Sequence, residues 1–231
     1  MDLVVSRGCR HVDWCTISGT HIEFCRSCGL VLIIAVDRLL GDAFIDVHTQ
    51  PHSGSTFDPA RRQSFDALSC RYDALDLESG RQIRVLVLRA GCESDPLRCD
   101  LEHTNLQQGP NFEAVSYIWV DANGDDSLSS EVLCRLPKRS IAITRNCEAA
   151  LRRLRKPNTD RRLWIDAICI DQSNVLERNH QVKNIIASFR SASRVLVFLG
   201  EGEAVLDRLT DYISNDTAGQ LPQILDFLYL F

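Results

Sequence analysis

Two near-continuous apolar runs, 163–170 (LWIDAICI) and 195–199 (VLVFL), flank a polar stretch and an amphipathic pattern. Runs without polar alternation suit strands buried on both faces of a sheet. The segment between them reads as a polar loop followed by a helix beginning near Asn174 or Glu177, with Val182, Ile185, Ile186 and Phe189 as its buried stripe. Strand, helix and strand in that order make a βαβ unit and predict a parallel sheet. Further strands are expected at 83–88 (IRVLVL), 112–119 (FEAVSYIW) and 140–144 (SIAIT), with a polar loop at 121–130 (DANGDDSLSS). A helix opens at Asn146, a favourable cap, carries Ala149, Ala150, Leu151 and Leu154 on one face, and stops at Pro157-Asn158.

Ligands of open α/β sheets bind outside the carboxyl ends of the strands. Here that edge collects Asp171, Gln172, Asn174, Glu177 and Arg178. Glu177 and Gln181 are four residues apart and share one helical face. Asp166 stands inside an apolar run, where a charge calls for a partner. Trp119 reads as core or pocket wall, Glu113 and Ser116 as residues that line the edge or support it, and His180 as a solvated helix residue.

Composition narrows the picture in three ways. With 231 residues, 45% of them hydrophobic, the chain can bury one good core and carry an extension. A net charge of -5 gives no reason to expect nucleic acid, and the cluster Arg152, Arg153, Arg155, Lys156, Arg161, Arg162 reads as a solvated helix end. The longest apolar run, 30–36, is too short to span a membrane, and no secretory signal is visible, so a cytoplasmic protein with reduced thiols is expected. Four regions are expected: a Cys/His-containing extension at 1–50, a Pro/Ser-rich linker at 51–69, an α/β core at 70–215, and an apolar segment at 216–231 that reads as the end of a truncated piece. Cys9, Cys15, Cys25 and Cys28, with His11 and His21 nearby, offer ligands for a structural zinc, or are free thiols.

The motifs FEAVSYIW, SIAITRNCEAALRRLR and RRLWIDAICIDQSNVLERNHQVKNIIASFRSASRVLVFLG, with the lead-in YDALDLESGRQIRVLVLRAG, resemble those of the fungal heterokaryon incompatibility (HET) domain. They follow the family order from Tyr72 to Gly200. Val120 replaces the family's glycine after the tryptophan, and Asp171 replaces its asparagine. The resemblance implies an effector of fungal non-self recognition and regulated cell death. HET domains are in turn distantly similar to TIR domains, which implies a TIR-like, flavodoxin-like parallel sheet flanked by helices.

That second similarity implies NAD as a substrate and a helix-borne carboxylate, Glu177 by position, as the catalytic group. Gln181, Arg178, Asp171, Gln172, Trp119 and Asp166 would then contact substrate: an amide for ribose, a guanidinium for phosphate, and helix amides for pyrophosphate. Loss of nicotinamide develops positive charge on the ribose, which a carboxylate stabilises, as in glycoside hydrolysis. The other readings are a signalling or scaffold module that self-associates or meets an upstream receptor without its own chemistry, and an inactive truncated copy. No resident cofactor is firmly implied.

Overall fold

The computed structural model describes residues 72–119, 125–134 and 139–198, and the backbone of three short strands before them: β1 (Trp14–Thr16), β2 (Ile22–Cys25) and β3 (Leu30–Ile33). The remaining strands are β4 (Gln82–Leu88), β5 (Arg98–Asn105), β6 (Glu113–Tyr117), β7 (Ser130–Cys134), β8 (Ser140–Ile143), β9 (Arg161–Trp164) and β10 (Arg194–Phe198). All belong to one sheet in the order β1-β2-β3-β10-β6-β9-β4-β5-β7-β8. The linker 51–69, the segment 216–231, Val120, Cys9 and Cys28 lie outside the described residues.

The sheet is mixed rather than parallel. β6 pairs in parallel with β10 on one side and β9 on the other. β4 runs antiparallel to both β9 and β5, and β3 antiparallel to β10. The expected βαβ unit is present, with β6 lying between its two strands. The carboxyl ends of β6, β9 and β10 therefore open on one edge, and residues 82–84 at the start of β4 lie at that same edge.

Among the described residues four α-helices accompany this sheet: α1 (Arg145–Leu154), α2 (Asp166–Cys169), α3 (Val175–Lys183) and α4 (Ile185–Ser191). α1 begins earlier than Asn146. Thr144 is its cap, accepting from the Cys147 N–H at 3.2 Å, which leaves the Asn146 amide to donate to the Ile118 carbonyl. Its buried face is Cys147, Ala150, Leu151 and Leu154.

The run 163–170 is not one strand. It leaves the sheet after Trp164 and turns into α2, at whose first residue the Asp166 carboxylate accepts from the Ala167 N–H at 2.7 Å. Periodicity alone cannot separate a buried strand from a short buried helix. α3 and α4 are likewise two helices, broken at Asn184. Only α4 carries the expected apolar packing: Phe189 meets Trp164 edge-on at 5.3 Å, with Ile185 beside the same core. Val182 is exposed instead.

Four arginines of the basic cluster, Arg152, Arg155, Arg161 and Arg162, make specific contacts with the fold. Arg152 donates to the Glu93 and Asp95 carbonyls, Arg155 to those of Asp95 and Pro96, and together they hold the loop before β5. Arg162 pairs with Glu102. Arg161 and Arg194 converge on Glu113 at the amino ends of the three parallel strands. Arg161 also donates to the Leu154 carbonyl at 2.9 Å, tying the end of α1 to β9.

Cys99, Cys147 and Cys169 are buried free thiols, each pushed up to about 12 by burial and so unreactive. Cys134 departs from the reduced-thiol expectation, since it is disulfide-bonded. Among the described residues no helix is long and apolar enough to cross a membrane.

Candidate functional site at the carboxyl edge

The edge is built around a buried ion pair. Arg84 lies within an otherwise apolar strand and is 1% exposed, so its charge requires an anion inside the protein. Glu177 on α3, 2% exposed, supplies it in fork-to-fork geometry. Arg84 Nη1 donates to Oε1 at 2.5 Å and Nη2 to Oε2 at 2.9 Å. The guanidinium also donates to the carbonyls of Cys169 and Asp73, and it lies 4.9 Å from the ring centre of Tyr72. Tyr72 in turn donates to the Ile168 carbonyl at 2.9 Å.

Both carboxylate oxygens of Glu177 are thus engaged, and Oε1 accepts a second bond, from the Asp171 N–H at 2.8 Å. Asn174 caps α3 by accepting from the Glu177 N–H. One turn on, Gln181 donates to the Gln82 carbonyl at 3.0 Å. Glu177 and Gln181 do share a face, and that face is turned onto β4.

The consequence is an inverted helix. α3 buries its carboxylate and its amide while Val175, Leu176 and Val182 face solvent, Leu176 at 77% exposure. Of the other residues expected here, Asp171 turns the loop by accepting from Ser173 N–H and Oγ–H. Gln172 donates to the Asp166 carbonyl at 2.9 Å, and Arg178 reaches back to the Gln172 carbonyl at 3.2 Å. His180 is partly buried rather than solvated, its Nδ1 buried without a partner.

Trp119 pairs with Tyr117, a residue that the sequence did not single out. β9 pairs with β6 at Ala114 opposite Trp164, and Asp166 opens α2 two residues beyond that pair. Trp119 stacks parallel to Tyr117 at 6.5 Å between ring centres and is 40% exposed. The Tyr117 hydroxyl is buried, with the Thr144 and Cys147 side chains as its polar neighbours. Burial, then Cys147 and Asp166, pushes its pKa up.

The Asp166 residue as a whole is part-exposed, but its carboxyl is desolvated. Burial pushes its pKa up to about 6, partly offset by backbone N–H groups. Among the described residues no cation pairs with it.

A folded-state pKa above the ordinary 3.8 means that Asp166 favours the fold when protonated. Its stability contribution is complete below the unfolded value and is lost as pH rises through about 6. An Asp166→Asn variant is therefore expected to melt at higher temperature at pH 7.5, by roughly 1–3 kcal/mol of stability. The gain should fade toward pH 4, and melting curves at both pH values check it.

Of the zinc candidates, Cys15 and Cys25 fall on β1 and β2, with Cys15 opposite Phe24 and Trp14 opposite Cys25. Cys9 and Cys28 lie outside the described residues.

These features define an α/β domain with a mixed sheet, whose polar chemistry gathers at the carboxyl ends of three parallel strands. Residues 112–223 match the family described as heterokaryon incompatibility protein (HET). Heterokaryon incompatibility protein 6, OR allele, of Neurospora crassa is 30% identical over 153 residues, covering 62% of this chain and 22% of that protein. The matched region thus spans about a fifth of that relative's length. No solved structure matches the chain. The match to the HET family covers just under half of this chain.

Proposed function

We propose that this chain supplies the HET domain of a fungal non-self recognition protein, a cytoplasmic effector of regulated cell death. In this reading the domain works as a signalling module, through self-association or an upstream receptor, and not as a hydrolase that uses Glu177. One observation carries the choice: both oxygens of the Glu177 carboxylate are committed to Arg84 inside the fold. A group so engaged is not free to stabilise charge on a substrate.

TIR-like hydrolysis of NAD is the second reading, and the parallel trio β10-β6-β9 with Asp166 at its carboxyl edge favours it. The two separate in one assay. Purified, folded chain is incubated with NAD at high protein concentration and nicotinamide is quantified. The module reading expects release no faster than in the buffer blank. Release that tracks the folded protein, and stops in Asp166→Asn, would move the function to the second reading.

A further inference from the structure

α3 turns its carboxylate and amide inward and leaves an apolar face outside. Three of the five exposed large apolar side chains among the described residues, Val175, Leu176 and Val182, belong to this nine-residue helix. Its other exposed residues are Asn179 and Lys183. At about 100° per residue these five lie within about 60° either side of Asn179, and the buried Glu177 and Gln181 lie opposite. Their order is symmetric: Leu176 and Val182 stand three residues to either side of Asn179, Val175 and Lys183 four. Glu177 is withdrawn to Arg84, so the one charge among the five is Lys183. Arg178, part-buried, reaches back to the Gln172 carbonyl.

A face with this symmetry matches itself. Two copies laid antiparallel, with a two-fold axis at Asn179, bring Val175 and Leu176 of one against Val182 and the methylene stem of Lys183 of the other, and the axis repeats the contact. The amino end of each α3, with Asp171 in the loop before it, then meets the carboxyl end of the other, with Lys183. Charges and helix dipoles are thus opposite in sign at both ends of the seam. The two Asn179 amides meet at the axis, where each offers the other a donor and an acceptor. A partner of another kind would need no such symmetry.

We infer that the outer face of α3 is a self-association surface whose partner is a second copy of this chain. A nine-residue helix is about 14 Å long, so the pair buries well under the roughly 800 Å² per partner of a stable interface. The contact is therefore weak and transient and forms at high local concentration, as suits a module gathered by a receptor. It rests on the signalling reading for its purpose only. Nicotinamide release would overturn that reading and leave the association measurement as it stands.

Sedimentation equilibrium of the full chain from about 10 μM to 1 mM reads the association. The average mass is expected to rise toward that of a dimer, and Leu176→Lys, which sets a lysine against Lys183 of the second copy, to weaken association at least about tenfold. Leu176 is 77% exposed, so this variant is expected to melt with the parent. Single cysteines read the geometry. Asn179→Cys is expected to link to itself across the axis under a short bismaleimide, the link between the two positions 179 being identified by peptide mass. Lys183→Cys, about 12 Å from its counterpart along the seam, is expected to link to Val175→Cys in a mixture more readily than to itself. A folded chain that stays monomeric at about 1 mM would assign the face to another segment or a different protein and overturn the proposal. So would a Leu176→Lys variant that associates like the parent, or linkage at 179 no greater than at 183.

Discussion

A Glu177→Ala variant is expected to lose about 3–5 kcal/mol of folding stability, the cost of leaving a buried charge without its partner. The reason lies in Arg84, whose guanidinium is almost fully enclosed and has no route to water once the carboxylate is gone. The Asp171 N–H loses its acceptor as well, which loosens the loop leading into α3. Domains of this size are stable by about 5–15 kcal/mol, so much of the margin disappears. Urea denaturation of Glu177→Ala, Arg84→Ala and the pair would measure it. The two single losses should be far from additive, since each removes the same interaction. A variant pairing Arg84→Met with Glu177→Gln removes both charges and keeps an acceptor for Asp171, and should recover more than half of the loss. If Glu177→Ala unfolds at the same urea concentration as the parent, the ion pair is not what holds α3.

Glu113→Ala should cost about 3 kcal/mol, toward the low end for a broken buried pair, because Arg194 is 40% exposed and water can re-solvate it. This carboxylate serves two arginines, Arg161 from β9 and Arg194 from β10, and so joins the amino ends of all three parallel strands. Burial alone would push its pKa up; the guanidinium groups of Arg161 and Arg194 outweigh that and hold it below the usual carboxylate value. With the folded value depressed, its stabilisation is fully present above the unfolded pKa and is lost as pH falls through the folded one. The parent should therefore lose stability below about pH 4.5, and Glu113→Gln should flatten that part of the pH profile. Chemical denaturation at pH 7 and pH 3.5 reads the difference.

The elements that position the site were largely legible. Strands at 82–88, 113–117, 140–143 and 194–198 follow from apolar runs, and the start of α3 follows from Asn174, whose side chain caps it. β5 (RCDLEHTN) was not, because its residues are mostly polar and its place comes from pairing along the whole of β4. β7 begins inside a stretch whose composition reads as loop. The larger misreading concerned α3. Val182 was expected in one buried stripe with Ile185, Ile186 and Phe189, yet the helix turns Glu177 and Gln181 inward, since Arg84 and the Gln82 carbonyl need partners more than Val182 needs cover. A signal for this was present: an arginine in the middle of IRVLVL implies a carboxylate elsewhere in the chain. Tyr117 carried no comparable mark, because a tyrosine ending a strand reads as ordinary core.

The Glu177 carboxylate works inside the fold, and the Arg84→Met, Glu177→Gln pair tests this role. The pair is expressed in fungal cells beside the parent chain and Glu177→Ala, at matched levels of folded protein, and cell death is scored. Death comparable to the parent is expected wherever the fold is restored, and loss in Glu177→Ala in proportion to its unfolding. A double variant that folds like the parent and kills no cells would contradict it and return Glu177 to a chemical role.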